Sequence, residues 1–410
     1  MRGGRNRARP FARLRAQTEK AVPKPLPPGR TIGILGGGQL GRMLSLAAAR
    51  LGLRCHVWCP DPEQPASYVA AAATVAPYDD VAALNAFAAT VDLVTYEFEN
   101  VPCATARALS RRVPVRPTPE ALALTQDRLG EKQFLRASGI LTAPFIAVDT
   151  AADLPGAIAE IGLPAVLKTR RFGYDGKGQF VLTSADQVEK AWAAVAGAPS
   201  ILECHIDFAH EISAIVARGL DGATMCYDPI RNIHENHILA RSIVPAGIPA
   251  DVSAAVRATA ERIVGMLDYT GVMGVEMFLE TSPLETSPGP RLYVNELAPR
   301  VHNSGHWTTD ACIVSQFEQH VRAICGWPLG ETQRHSDAIM ENLLGHAVEA
   351  WPELARQPST AIHIYDKMEI VPGRKMGHVT RPFPLGRNPE AVLEKSLSAS
   401  DTAANAKTPG

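Results

Sequence analysis

One stretch of sequence constrains the fold more than any other. Thr31-Ile-Gly-Ile-Leu35 is a short apolar run, and Gly36-Gly37-Gly38 follows it at once. Leu40, Met43, Leu44, Ala47, Ala48 and Leu51 then recur at helical spacing, and Gly52 stands where such a helix would end. A buried strand that turns sharply into a helix needs a parallel partner. The sequence supplies candidates in Cys55–Trp58 and Val91–Thr95, with a helical stretch over 81–90 between them. The alternation predicts a parallel α/β unit over residues 31–128.

Three further regions are expected. Residues 129–330 open with a helix over Leu129–Ser138 and hold a strand, Pro164-Ala-Val-Leu-Lys168, that runs into the glycine-rich Phe172-Gly-Tyr-Asp-Gly-Lys-Gly-Gln179. A small β-rich region spans 331–395, and 396–410 reads as a disordered tail. Residues 1–30 carry nine basic side chains against the single acid Glu19, with Pro23, Pro25, Pro27 and Pro28 against any helix. They are expected to form a disordered basic tail, a targeting or RNA-touching arm being the alternative.

Composition removes whole classes of function. With 41 basic and 42 acidic residues the chain is not a globally basic nucleic-acid binder. It has no apolar run long enough for a membrane-spanning helix, so no membrane partner is expected. The seven cysteines include no Cys-x-x-Cys pair and suggest free thiols in a reducing, cytoplasmic setting.

Gly36-x-Gly38-x-x-Gly41, with Asp61 downstream, fits a dinucleotide-binding fingerprint; it equally fits any helix N-terminus that must approach a phosphate or another backbone. Gly173, Gly176 and Gly178 free the second loop to fold over phosphates, and Lys177 adds charge. It is not a Walker loop, because Gln179 and Phe180 follow Gly178. Lys168 closes the strand before it.

Along 271–279, Met273, Val275, Met277 and Leu279 share a strand face, so Glu276 points the other way. The strand Arg291–Leu297 places Leu292, Val294 and Glu296 on one face by simple alternation and Asn295 on the other. A hairpin of the two strands would bring Glu276 and Glu296 together, and paired carboxylates call for a hard cation such as Mg²⁺. Arg300, His302, Asn303, Ser304 and His306 crowd the next loop, as an anionic substrate would require. His302 occupies the place where a serine-hydrolase elbow needs glycine. His210-Glu211 lacks the second histidine of a zinc motif because residue 214 is alanine. His234 and His237 suggest hydrogen bonding, not zinc.

Several runs occur in a telling order: Gly36-Gly-Gly-Gln-Leu-Gly-Arg-Met43, Thr95-Tyr-Glu-Phe-Glu-Asn100, Gly173–Gln179, Asn295-Glu-Leu-Ala-Pro-Arg-Val-His-Asn-Ser-Gly-His-Trp307, Tyr365-Asp-Lys and Pro372-Gly-Arg-Lys. Over residues 31–380 the chain closely resembles the 5-(carboxyamino)imidazole ribonucleotide synthases, ATP-grasp enzymes of purine biosynthesis. The resemblance implies a Rossmann-like first domain, an ATP-grasp domain with a mobile lid over about 165–205, and a small C-terminal domain. It implies a ligase in which ATP phosphorylates bicarbonate to carboxyphosphate, and 5-aminoimidazole ribonucleotide takes up the carboxyl group. ATP is then a co-substrate, two Mg²⁺ ions are expected with it, and the chain is expected to form a homodimer.

Residue by residue, the resemblance assigns ATP to Arg128, Lys168, the loop Gly173, Tyr174, Asp175, Gly176, Lys177, Gly178 and Gln179, and the adenine hinge Glu203, Cys204, His205 and Ile206. Glu211, His234, Asn295 and Glu296 complete that set, and Glu276 and Glu296 hold the metal. Arg300, His302, Asn303 and Asp175 are the expected catalytic residues. Gln39, Leu40, Glu97, Tyr174, Ser304, Lys367, Arg374 and Lys375 join Arg300, His302 and Asn303 around the ribonucleotide. The first glycine motif would then serve the ribonucleotide and not a nicotinamide cofactor. Lys177 stands where arginine is common, which keeps the charge and loses the bidentate fork.

Overall fold

The computed structural model describes residues 24–173, 176–281 and 289–387. The expected tail at 396–410, most of the N-terminal tail, and Tyr174 and Asp175 of the glycine loop lie outside the described residues.

The first sheet is parallel, as the alternation predicts. Strands β1 (Thr31–Leu35), β2 (Arg54–Cys59), β3 (Ala72–Val75) and β4 (Leu93–Tyr96) lie in the order β3-β2-β1-β4. The helix Gln39–Arg50 follows β1 and buries Leu40, Leu44, Ala47 and Ala48. Its apolar stripe meets Phe317, Val321 and Ile324 of the helix Gln316–Cys325, so one core joins the first domain to the centre of the molecule.

A second, antiparallel sheet contains β5 (Phe145–Val148), β6 (Ala165–Thr169), β7 (Gln179–Leu182) and β8 (Ser200–Cys204), ordered β5-β8-β6-β7. It has a small core of its own around Leu154, Leu167 and Leu202. The expected lid therefore belongs to a unit that begins at Phe145, earlier than residue 165.

The third sheet is the largest among the described residues. It holds β9 (His210–Arg218), β10 (Thr224–Cys226), β11 (Ile230–Glu235), β12 (Ile238–Val244), β13 (Gly271–Glu280), β14 (Arg291–Ala298), β15 (Asp337–Leu344), β16 (Ala361–Ile364) and β17 (Lys375–Phe383). The order is β14-β13-β9-β11-β12-β15-β17-β16, with β10 beside β9. Both faces are covered: on β9, Ile212, Ala214 and Val216 meet the helix Ala250–Met266, while Ile215 and Ala217 face the core shared with the first domain. A strand apolar on both sides is what two covered faces demand.

The expected β-rich C-terminal region holds β15, β16 and β17, which extend the central sheet because β15 pairs with β12. One expectation changes here: the N-terminal tail does not run free as far as residue 30. The Leu26 amide donates to Cys325 O at 2.8 Å, Trp327 Nε1 donates to Leu26 O at 2.7 Å, and the Leu26 side chain packs on the shared core. Its surrounding prolines are compatible with an extended segment laid on a surface, which charge and proline counting cannot tell from disorder.

That docking is worth about 2 kcal/mol in buried apolar area and hydrogen bonds together. A chain starting at residue 29 should therefore melt about 2–3 °C below one starting at residue 24. Equal melting temperatures by calorimetry would show that the segment contributes nothing.

Candidate functional site

Glu276 and Glu296 face one another across the β13–β14 ladder. Alternation along β13 buries Met273, Val275, Met277 and Leu279 and leaves Glu276 on the opposite face, as expected. On β14 simple alternation fails. The pairing shifts after Glu276↔Glu296, so that Met277 pairs with Val294 and Asn295 is an extra, bulged residue. The bulge turns both Asn295 and Glu296 to the cavity while Val294 and Leu297 both enter the core. The expected separation of Asn295 from Glu296 is thereby corrected.

These acids line a cavity of about 450 Å³. Gln39, Leu40 and Glu97 reach it from the first domain. Arg128, Lys168, Gly173, Gly176, Lys177 and Gln179 line it from the region of the second sheet, and Glu211, His234, Arg300, His302, Asn303 and Lys375 from the central sheet and its loops.

Each acid already has a cationic or hydrogen-bonding neighbour. Arg128 Nη1 lies 2.9 Å from Glu296 Oε2, and His302 Nε2 lies 3.1 Å from Glu276 Oε1. Burial alone would raise the Glu276 carboxyl, but His302, with His234 and Lys375 farther off, outweighs it and holds it below the usual carboxylate range. The His302 ring is fixed from behind: its Nδ1 meets Ser304 Oγ at 2.9 Å, and its backbone N–H donates to Gln316 Oε1 at 2.9 Å. Glu211 lies 2.5 Å from His234 Nδ1 and, against the lowering effect of burial, raises that imidazole. Asn303 and Asn342 exchange hydrogen bonds at 3.0 and 2.7 Å.

The first glycine motif holds an anion, and the anion is the chain's own. The backbone N–H groups of Gly38 and Gly41 donate to the two oxygens of Glu97 at 2.5 and 2.6 Å. A helix N-terminus favours just such a negative group. The glycines are needed for the approach, since a Cβ on Gly38 would sit 2.7 Å from Glu97 Oε1. A dinucleotide pyrophosphate would have to displace this carboxylate, so the nicotinamide reading of the motif fails on geometry. Burial raises Glu97, and the two N–H bonds together with Arg300 and Lys367 oppose that rise.

Other expected residues stand away from the cavity wall. Ser304 is fully buried and holds His302 in place. Glu203 lies inside, between Lys168 Nζ at 2.6 Å and Lys132 Nζ at 3.1 Å; Cys204, His205 and Ile206 follow it at the end of β8 and do not line the cavity. Gly178 packs on Thr169. Lys367 donates to Lys375 O at 2.6 Å, and exposed Arg374 lies near Glu369 O at 3.4 Å; neither lines the cavity.

Sequence reasoning missed Glu99, which pairs with Arg300, and Asn100 and Phe278, which join the wall; His237, expected only to hydrogen-bond, joins it too. It also missed the buried charges Glu131 and Lys132. Burial and the nearby Glu296 push the Glu131 carboxyl above the usual carboxylate range. The available signal for Lys132 was its position four residues after Arg128, on the same helix face.

Comparison with known proteins places all three regions. Residues 29–126 match the ribonucleotide synthetase preATP-grasp domain, 133–317 the ATP-grasp domain, and 338–395 the phosphoribosylaminoimidazole carboxylase C-terminal domain. The chain is 48% identical over 361 residues to the N5-carboxyaminoimidazole ribonucleotide synthase of Brucella melitensis, covering 88% of this chain and 98% of that one. It is 42% identical to the Bacillus subtilis enzyme of that name, covering 86% and 91%. A Staphylococcus aureus N5-carboxyaminoimidazole synthetase complexed with ADP superposes with TM-score 0.84 at 34% identity, covering 91% of this chain and 97% of that one. The Aspergillus clavatus synthase in complex with ADP and 5-aminoimidazole ribonucleotide superposes with TM-score 0.82 at 30% identity, covering 91% and 99%.

The buried carboxylates set the response to acid. Desolvation opposes ionisation of Glu99 and Glu203, yet Arg300 in the first case and Lys132 with Lys168 in the second hold both at about 2, below the usual 4.5. A depressed folded value means stability that is present above pH about 4.5 and is lost as pH falls toward about 2. Urea midpoints should fall steeply through that window, and Glu99→Gln should flatten the fall. A profile identical to that of the unsubstituted protein would show that Glu99 is not a source of it.

Proposed function

This chain belongs to the N5-carboxyaminoimidazole ribonucleotide synthase family of ATP-grasp ligases, and from that premise we propose how its cavity performs the reaction. The enzyme carboxylates 5-aminoimidazole ribonucleotide at the expense of ATP in purine biosynthesis. The observation that carries our reading is one continuous cavity in which Gln39 and Glu97, Lys168 and the glycine loop, and the facing acids Glu276 and Glu296 share a wall. Nucleotide and ribonucleotide can then meet with little bulk water between them.

ATP lies over β6 and the glycine loop, its phosphates toward Lys168, Arg128 and Lys177, with Glu211 and His234 toward the ribose. Phosphoryl transfer needs positioning and neutralisation of charge. A bicarbonate oxygen attacks the γ-phosphorus, ADP leaves, and carboxyphosphate forms. The 5-amino nitrogen then attacks the carboxyl carbon and phosphate departs. Arg300, His302 and Asn303 surround the reacting groups, with Arg300 aimed by Glu99 and His302 by Ser304 and Gln316. The loop that carries Gly173, Gly176, Lys177 and Gln179 is the lid of this reading, which keeps water from the unstable intermediate. The ribonucleotide lies toward Gln39, Leu40, Glu97 and Lys375. We place Lys367 behind Lys375 as its support.

The donor set fits Mg²⁺. Glu276 and Glu296 offer carboxylate oxygens from directly opposed positions, and the bulge adds the Asn295 amide oxygen on the same side. Hard oxygen ligands of this kind suit an ion that also binds phosphate, and when bound it would neutralise charge on the transferring phosphoryl group. With that charge supplied, Arg128 and His302 would have their hydrogen-bonding capacity available to the substrates. A homodimer belongs to the same reading and is tested by sedimentation.

ADP release should require Mg²⁺, bicarbonate and the ribonucleotide together; release that ignores the ribonucleotide would overturn the proposal. Glu276→Gln and Glu296→Gln should each abolish nearly all turnover while the circular dichroism spectrum is unchanged. Lys375→Ala should raise the ribonucleotide KM roughly 10- to 100-fold and leave that for ATP almost unaltered, since a charge-assisted bond is worth about 1.5–3 kcal/mol. Equal rises for both substrates would place Lys375 elsewhere.

A further inference from the structure

Lys132 is a lysine with almost no access to water, its side chain 1% exposed, and no step of the reaction uses it. A buried ammonium is costly unless its donors are all engaged. Here Nζ lies 2.8 Å from Thr142 Oγ1, 3.3 Å from Val294 O and 3.1 Å from Glu203 Oε1. The ammonium thus donates two hydrogen bonds and makes one ion-pair contact. Two of these oxygens belong to the segment joining the helix Arg128–Ala137 to β5 and to β14 next to Asn295; the third belongs to β8 of the second sheet.

The other oxygen of Glu203 receives Lys168 Nζ at 2.6 Å, and that same Nζ is 3.4 Å from Asn295 Oδ1. Glu203 is therefore a carboxylate between two ammonium groups, one wholly inside and one at the cavity. The charge count matters. Two cations and one anion leave a net charge of about +1, presented to the cavity by Lys168. With Lys132 neutral, Lys168 would be the one cation in ion-pair contact with Glu203 among the described residues, Arg128 acting on it from farther off. The charge of Lys168 would be spent inward.

From this arrangement we infer that Lys132 is a positioning residue for nucleotide binding: its buried ammonium satisfies Glu203 and so leaves Lys168 available to the ATP phosphates. The inference rests on the reading of Lys168 as a phosphate contact. It assigns to Lys132 no contact with either substrate. It also gives the second sheet a charged anchor on the central body, because Glu203 and Lys168 come from β8 and β6, while Lys132 comes from the helix that also presents Arg128.

Steady-state kinetics on the full chain test it. Lys132→Met should raise the ATP KM at least roughly tenfold, while the ribonucleotide KM at saturating ATP stays within about twofold. The double variant Lys132→Met/Glu203→Gln removes the carboxylate as well and should recover most of the ATP affinity, which a general loosening of the core would not allow. An unchanged ATP KM in the single variant, equal rises for both substrates, or no recovery in the double variant would each overturn the inference. Should the single variant fail to fold, Thr142→Val, which removes one acceptor from Lys132, should still raise the ATP KM roughly threefold; no change would sink the idea. Lys168→Ala separates the two layers. If it leaves the ATP KM alone, the phosphate reading itself is wrong; if it raises the ATP KM while Lys132→Met does not, only the positioning role is wrong.

Discussion

Two carboxylates held opposite one another on hydrogen-bonded strands repel, and much of the site is arranged around that repulsion. Glu276 and Glu296 occupy paired positions on β13 and β14, where side chains stand within a few ångströms. Arg128 answers one and His302 the other. Each of those partners is then fixed by its own surroundings: Arg128 by its place in the first turn of a helix capped by Asp127, and His302 by Ser304 and Gln316. The pair stores a demand for positive charge at one point in the cavity, and a cation bound there relieves it.

The same economy appears wherever charge is buried. Glu203 sits between Lys132 and Lys168, Glu99 meets Arg300, and Glu97 caps the helix after β1 with two backbone N–H bonds. Isolated, each carboxylate would be driven to take up a proton by desolvation. Paired or hydrogen-bonded, Glu99 and Glu203 stay ionised, and the cations opposite them are held in defined places. Neutral amides do the remaining fixing, as Gln316 does for the His302 backbone and Asn342 for Asn303.

Much of this was legible in the sequence because it obeys a period. The parallel unit followed from strand–glycine–helix alternation, and the inward face of β13 from a period of two. The failures have physical causes as well. A bulge breaks that period at Asn295, and nothing in the local residue types announces it. Leu26 lies among prolines and charges that resemble a free tail, yet it finds the core shared with Trp327. Lys132 and Glu131 look like ordinary surface residues of an amphipathic helix; only the tertiary fold shows that their face is buried. The glycine motif was ambiguous for a different reason. Its chemistry, an anion at a helix N-terminus, was right, but the anion comes from Glu97, far along the chain.

The run of the central sheet also bears on how the enzyme is made. β15 pairs with β12 and β17 with β15, so Lys375 reaches the cavity only when strands nearly a hundred residues apart have joined. During synthesis the chain through Glu296 emerges well before Lys375 does. On the proposed placement of the substrates, a nascent chain then holds the ATP side of the cavity before the ribonucleotide side has its last wall. The edge of β12 would meanwhile stand open, offering unpaired backbone groups to any passing strand. Rapid arrival of the last strands shortens the time for which that edge is exposed.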